Sequence, residues 1–325
     1  MKADRVVLFY TGSPESPDPA HVAAYLREFL MDPYMLSMPR VLRSLLVHGV
    51  IVPLRARKSA ARYQQIWMPE GSPLAVYTRR LRDALQNLVP ESTVEVAAAY
   101  GPESLRAYLA QMEAPAVKRL VVFPLFPHHA EATHGMLRDM LAGFHGTHAA
   151  PGPDIRVVPP FYATEAYLDA MRESTAPRLD AFKADHVLFT YHGLPIRQAH
   201  IVSEPGLPDY ETQCEQTTAL LAKTLGLEPG RFSHAYQSRF GRGWLGPSTE
   251  STLAELARAG RKRVALVAPS FVADCLETLE ELDTGAQEVF LAAGGEAFLR
   301  VPALNADPAW VRGAARILRE ELNRG

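Results

Sequence analysis

His192 closes the apolar run Val187-Leu188-Phe189-Thr190-Tyr191. An imidazole at the carboxyl end of a buried strand faces a crevice, and its ordinary pKa lets it exchange protons near neutral pH. With 11 histidines in the chain, position alone does not separate that role from a structural one. A second segment runs Asp274-Cys275-Leu276-Glu277-Thr278-Leu279-Glu280-Glu281-Leu282-Asp283. On an α-helix, Asp274, Glu277 and Glu281 form one acidic ridge, while Leu276, Leu279 and Leu282 turn to the core. The ridge is either a solvated charged face or a row of hard oxygen ligands that attracts a divalent cation and hands it to a nearby imidazole. Spacing does not choose between them. His128, His129, Glu131 and His134 offer a further set of donors, which converges on a metal only if a folded turn brings His128 and His134 together. Glycine-rich nucleotide motifs and the G-x-S-x-G elbow are absent, so dinucleotide, P-loop and serine-hydrolase chemistry has no support.

The elements that must position these groups read as alternating strand and helix. Short apolar runs at Val6 to Tyr10, Val94 to Ala99, Leu120 to Leu125, Ile155 to Val158, Val187 to Tyr191, Phe232 to Tyr236, Val264 to Ala268 and Val289 to Leu291 have the character of strands buried on both faces, as in parallel sheets. After the first run, Asp18 suits an N-cap and Pro19 the first helical position, with Val22, Tyr25, Leu26, Phe29 and Leu30 on one face. The halves echo each other: Val7 to Gly12 matches Val187 to Gly193, and Arg119 to Pro124 matches Arg263 to Pro269. This predicts an α/β fold of two similar lobes, with the chain passing from one to the other near Pro159-Pro160. Ligands bind at the carboxyl ends of such strands, where Tyr10, Tyr191, His192 and Gln237-Ser238-Arg239 lie. The C-terminal stretch from Trp310 is an amphipathic helix with Val311, Ala314, Ala315, Ile317, Leu318 and Leu322 available for packing.

Composition bounds the class of protein. The chain has 325 residues, 47% hydrophobic and 22% charged, with 34 Lys plus Arg against 36 Asp plus Glu and a net charge of −2. That balance lacks the footprint of a nucleic-acid binder and excludes wholesale disorder. The cysteines, Cys214 and Cys275, rule out a four-cysteine cluster within the chain and favour a reducing cytoplasm. The N-terminus shows no signal-peptide pattern. The most membrane-like stretch, Val41 to Leu54, is interrupted by Arg43, Ser44 and His48 and is too short to span a bilayer, though it suits peripheral contact with a membrane or an apolar ligand.

Taken together, the motifs resemble the ferrochelatase family, whose members insert iron into a porphyrin. The resemblance rests on Gly12-Ser13-Pro14 with Val22 to Leu30; Lys58-Ser59-Ala60, Tyr63, Ile66-Trp67 and Gly71-Ser72-Pro73-Leu74; and Tyr100-Gly101 with Pro124 to Pro127. It continues through His192-Gly193-Leu194-Pro195, Tyr210 with Gln213-Cys214, Gln237 to Gly241, Asp274 to Glu281, Gly294-Gly295 and Pro302 to Asn305.

The resemblance implies two Rossmann-like (flavodoxin-like) lobes, each a parallel sheet flanked by helices, with an active-site cleft between them. Residues 1–160 plus 303–325 would form the first lobe and residues 161–302 the second, which carries the catalytic pair. His192 would act as base or metal ligand, Glu277 as ligand or proton carrier, and Glu281 as a further ligand. Tyr10, Arg55, Lys58, Ile66, Trp67 and Tyr191 are the expected substrate contacts, with Arg55, Arg57, Lys58 and Arg62 available to pair with propionates. For these basic residues a solvated helix face is the competing reading, and for Ile66 and Trp67 ordinary core packing.

The implied reaction is insertion of Fe²⁺ into protoporphyrin IX with release of two protons. The alternatives are the same chemistry on coproporphyrin III, a non-catalytic porphyrin or haem carrier, and another tetrapyrrole chelatase. Fe²⁺ and porphyrin are substrates; no cofactor and no iron–sulfur cluster is expected, and the expected state is a cytoplasmic monomer. Cys275 stands where some relatives carry histidine and is expected to pack as a small buried residue.

Overall fold

The computed structural model describes residues 3–112, 116–147 and 152–324; Met1, Lys2 and Gly325, included in the lobe boundaries above, lie outside the described residues. The chain forms two units. The first comprises Met1–Leu125, Glu131–Val158 and Glu321–Gly325, the second Phe126–Ala130 and Pro159–Glu320.

In the first unit, β1 (Ala3–Gly12) lies between β2 (Ser92–Tyr100) and β3 (Val117–Pro124), and β4 (Asp154–Val157) pairs with β3, all parallel. In the second, β5 (His186–His192) lies between β6 (Phe232–Gln237) and β7 (Arg263–Val267), and β8 (Ala297–Arg300) pairs with β7, again parallel. The two orders, β2-β1-β3-β4 and β6-β5-β7-β8, are the same. The matched sequence runs therefore occupy equivalent strands, β1 with β5 and β3 with β7. Val6, Val7, Leu8 and Phe9 in β1 and Leu188 and Phe189 in β5 are fully buried, as strands covered on both faces require. Each such side chain contributes roughly 1.5–3 kcal/mol of burial.

The first unit carries α1 (Pro19–Leu30), α2 (Arg40–Leu46), α3 (Val52–Ile66), α4 (Pro73–Leu88), α5 (Leu105–Gln111) and α6 (Met136–Thr147). Pro19 opens α1 and Asp18 occupies the N-cap position, but the Asp18 carboxylate accepts from the Ser16 hydroxyl at 3.1 Å instead of capping the helix. A π-helical turn, Val47–Ile51, joins α2 to α3. Val47 and Val52 are buried there, whereas Val41, Leu42, Leu45, Val50 and Leu54 are exposed.

The second unit carries α7 (Glu165–Phe182), α8 (Ile196–Ala199), α9 (Tyr210–Thr224), α10 (Thr249–Arg258), a π-helical segment Glu277–Gly285, α11 (Ala286–Ala292) and all but the last residues of α12 (Pro308–Asn323). The segment 126–130 belongs here because Gln213 of α9 accepts from the His129 amide at 2.8 Å and the Phe161 amide donates to Pro127 O at 3.0 Å.

Two expectations are corrected. Val289 to Leu291 is not a strand: it lies in α11, where Phe290 continues a buried series with Leu282 and Ala286, and the last strand is Ala297–Arg300. A three-residue apolar run fits either a strand or a buried helix turn, and here the helical packing wins. Residues 303–320, expected in the first lobe, group with the second unit, and only 321–325 group with the first. The cause is the fully buried Trp310, stacked on Phe161 at 5.5 Å and edge-on to Tyr167 at 6.1 Å. The packing residues expected in α12, Val311 to Leu322, are all buried. Among the described residues no helix is long and apolar enough to cross a membrane.

Candidate active site

Strand β5 delivers His192 to its carboxyl end, in register with Gln237 at the end of β6. The His192 backbone is held on both sides: its amide donates to Ser270 Oγ at 3.3 Å, and its carbonyl accepts from the Tyr210 hydroxyl at 2.9 Å. Phe271 meets the imidazole edge to face, with centroids 6.3 Å apart. Burial pushes the His192 pKa below its ordinary value, and the Glu277 carboxylate opposes that shift. The result is a neutral imidazole with a free lone pair and an anion close by, a pair suited to taking up a proton and stabilising the cation that forms.

Glu277 is the first residue of the π-helical segment, and Glu281 follows one step of four residues later. In a π-helix the i→i+5 bonding keeps residues four apart near one face, and such segments cluster at functional sites. Glu281 is gripped at both oxygens: the Ser238 amide donates to Oε1 and the Ser238 hydroxyl to Oε2, each at 2.7 Å. Burial raises the Glu281 pKa, these two bonds lower it, and the charge of Glu277 raises it.

The acidic ridge is shorter than the helical spacing implied. Asp274 precedes the helix and is buried, accepting from Arg300 Nη1, Thr278 Oγ1 and Asn305 Nδ2 at 2.8, 2.9 and 2.8 Å. Its carboxylate is committed to the fold. The core face of the segment is also displaced from the expected leucines: Thr278, Leu282, Ala286 and Phe290 are buried while Leu276 and Leu279 are partly exposed, because the wider π turn replaces the α period. Cys275 is buried and its thiol pKa is raised by burial, which removes thiolate ligation.

The expected substrate contacts divide. In the first unit Arg55 and Lys58 are exposed on α3, Ile66 is half-buried at its end, and half-buried Trp67 meets Tyr63 edge to face at 6.0 Å. Tyr10 and Tyr191 are packed in the interior. Tyr10 is 4% exposed with its hydroxyl on Glu103 at 3.1 Å, and Tyr191 is fully buried with its hydroxyl 2.8 Å from Thr218 Oγ1. Alternation along β5 explains the second case: adjacent side chains point to opposite faces, so Tyr191 enters the helix layer when His192 does not.

The histidine-rich run does not form a centre. His128 is buried, stacked on Tyr162 at 5.4 Å with Nε2 2.8 Å from Thr217 Oγ1, and burial lowers its pKa to about 3. His129 Nε2 lies 2.8 Å from Ser203 Oγ, and His134 belongs to the first unit, beside Thr133. Among the described residues no group of three or more His, Cys, Asp or Glu side chains is arranged to hold a metal ion. The Glu277 carboxylate acts electrostatically on the His192 imidazole. Ser270, Phe271 and Tyr210, which contact His192, and Ser238, which holds Glu281, were given no site role from sequence; Tyr210 and Ser238 stood only within quoted motifs, and Ser270 and Phe271 carried no signal.

A family model described as ferrochelatase matches residues 3–322. Proteins named ferrochelatase from Bdellovibrio bacteriovorus, Pseudomonas aeruginosa and Azotobacter vinelandii are 38%, 37% and 38% identical to this chain, over 97%, 98% and 98% of its length and 98%, 98% and 99% of theirs. Among solved structures, SirB from Bacillus subtilis with Fe³⁺ superposes with a TM-score of 0.59 at 10% identity, covering 98% of this chain and 95% of that one. The sirohydrochlorin chelatase SirB from Bacillus subtilis subspecies spizizenii with cobalt gives 0.56 at 11% identity, over 98% and 95%. These structural likenesses carry the fold, two parallel sheets flanked by helices; the sequence matches carry the family. With a matching family model across almost its full length and relatives well above 30% identity, the chain belongs to the ferrochelatase family.

Proposed function

We propose that the protein inserts Fe²⁺ into protoporphyrin IX, releasing two protons and forming haem. The observation that carries this reading is the pairing of a half-buried His192, whose pKa desolvation lowers from the ordinary histidine value, with the Glu277 carboxylate. A free-base porphyrin gives up two N–H protons as the metal enters. The imidazole lone pair of His192 accepts a pyrrole proton, Glu277 stabilises the imidazolium and takes the proton onward, and the restored imidazole accepts the second. Nitrogen and oxygen donors suit Fe²⁺ and also Zn²⁺ and Co²⁺, so the pair does not by itself select iron. On the first unit, Arg55 and Lys58 offer charges to propionates, and Ile66 and Trp67 offer apolar surface to the macrocycle. We assign the protein to the cytoplasm as a monomer whose exposed apolar residues on α2 and α3 touch a membrane peripherally.

Anaerobic assay of the purified protein with Fe²⁺, using protoporphyrin IX and coproporphyrin III in parallel, tests the reading. Metalation of protoporphyrin well above the uncatalysed rate, with His192→Ala losing most of it, is the expected result. Preference for coproporphyrin would reassign the substrate. Tight porphyrin binding without accelerated metalation would leave a carrier.

A further inference from the structure

His129 has a hydroxyl at one ring nitrogen and a carboxylate near the other. Its Nε2 lies 2.8 Å from Ser203 Oγ, and its Nδ1 lies 3.8 Å from Glu204 Oε1. All three residues belong to the second unit, and the metal-insertion reading assigns them no part. The imidazole is fixed through its own backbone: the His129 amide donates to Gln213 Oε1 at 2.8 Å, and the His129 carbonyl accepts from Gln213 Nε2 at 3.4 Å. At 4% exposure the ring finds its partners in the fold and not in bulk water. Glu204 is placed by a turn. Glu204-Pro205-Gly206-Leu207 has proline at its second position and glycine with φ +82 at its third, and the Leu207 amide donates to Glu204 O at 3.2 Å, the signature of a type II turn. Ser203, directly before it, is partly buried. Among the described residues the Ser203 and Glu204 amides donate to no acceptor. Ile201 and Val202, just upstream, are 44% and 61% exposed.

A hydroxyl bonded to an imidazole that a carboxylate orients is the arrangement that activates serine as a nucleophile, and its contacts are often loose until substrate binds. The chain lacks the G-x-S-x-G elbow, but such a constellation is defined by geometry and not by sequence order, and His129 and Ser203 stand 74 residues apart. The Glu204 carboxylate favours the tautomer with its proton on Nδ1, which leaves Nε2 to accept the Ser203 hydroxyl. We propose that Ser203, His129 and Glu204 form a second catalytic site, which hydrolyses esters of apolar acyl groups. Ser203 Oγ bonds to the acyl carbon while His129 Nε2 takes the hydroxyl proton; the ester C–O bond breaks, and the alcohol leaves with that proton. Water then attacks the acyl group on Ser203 and gives a proton to His129. The bond from Oγ to the acyl carbon breaks, the acid departs, and Ser203 recovers its proton, so that ester and water have become acid and alcohol. The Ser203 and Glu204 amides are the donors available to the carbonyl oxygen as it gains charge, the amide after the nucleophile serving this purpose in other serine hydrolases. Ile201 and Val202 offer apolar surface to the acyl chain. Glu204 is a positioning residue and acts through His129.

The test uses the full chain and two probes. An alkyl fluorophosphonate bonds to an activated serine, and the adduct is mapped by peptide mass; p-nitrophenyl butyrate, a short apolar ester, gives kcat and KM. The expected result is an adduct on Ser203 that is lost in His129→Gln, and hydrolysis that falls about a hundredfold or more in Ser203→Ala and in His129→Gln. Glu204→Gln is expected to lower kcat by about tenfold or more with KM unchanged, because it orients the base and does not bind the ester. Ser203→Ala should keep the thermal unfolding and iron insertion of the wild type, which separates loss of the nucleophile from loss of the fold. Folded wild-type protein that forms no adduct on Ser203 under excess fluorophosphonate overturns the proposal, and this arm depends on no variant. Hydrolysis of p-nitrophenyl butyrate undiminished in Ser203→Ala overturns it as well.

Discussion

Arg300 donates through Nη1 to Asp274 Oδ1 at 2.8 Å, with the two side chains only 8% and 4% exposed. The same carboxylate also receives Asn305 and Thr278, so the chain just before Glu277 is anchored to β8 and to the loop beyond it. Breaking a buried ion pair from one side leaves the other charge without compensation, which costs roughly 3–5 kcal/mol. Asp274→Ala is therefore expected to lower unfolding free energy by about that amount in urea titration. It is also expected to reduce metal insertion to the fraction that stays folded. A variant as stable as the wild type would return Asp274 to the solvated or ligating ridge that its spacing first suggested.

The charge of Glu277 opposes the desolvation of His192, and the two influences are separable. The His192 pKa is lowered overall, with burial the larger cause. Glu277→Gln removes the opposing charge, so the pKa should fall further. Nuclear magnetic resonance titration of the imidazole is the check. The His192 signal is expected to titrate below the ordinary histidine range in the wild type and lower still in Glu277→Gln. A midpoint that rises in the variant would mean that the carboxylate is not acting on the ring.

His128 gives a pH dependence of stability with a definite sign. Its folded pKa of about 3 lies below the ordinary 6.5, so between those values the unfolded chain binds a proton that the folded chain refuses. Stability accordingly rises with pH through this window and is lost as pH falls below about 6.5. From pH 7.5 to 5 the loss from this one group is about 2 kcal/mol. His128→Phe retains the stacking on Tyr162 and removes the titrating group, and should flatten the acid side of the stability profile measured by denaturation at several pH values. An unchanged slope would place the titration elsewhere.

The strands around which both units are built were legible because Val6 to Phe9 and Val187 to Phe189 are unbroken apolar runs with no helical period. Val289 to Leu291 misled for the same reason: three apolar residues carry no period, and Phe290 is recognisable as helical only with Leu282 and Ala286 in view. His192 and Glu277 were legible through the motifs around them. Asp274 was not, since its partners Arg300 and Asn305 lie 26 and 31 residues away and nothing local distinguishes a buried carboxylate from a solvated one. Ser238 was invisible as a geometric element because a left-handed residue is foreseeable where glycine or asparagine stands, and here serine is held in that region by its tertiary contacts.

Helices α2 and α3 present apolar side chains to solvent. Leu42, Leu45 and Leu54 are 58%, 66% and 74% exposed, and Arg55 and Lys58 are exposed directly after them. Exposed apolar side chains next to basic residues suit insertion at a lipid headgroup boundary with attraction to anionic lipid. Replacing the three leucines by serine should leave thermal stability nearly unchanged, because little burial is lost in the folded protein. Co-sedimentation with vesicles containing about one-third anionic phospholipid should fall at least tenfold, since even one leucine's transfer is worth roughly 1.5–3 kcal/mol. Raising the salt should weaken the wild-type association through Arg55 and Lys58 without abolishing the apolar part. Sedimentation of the triple variant equal to that of the wild type would remove the membrane from the account and leave this face to an apolar ligand.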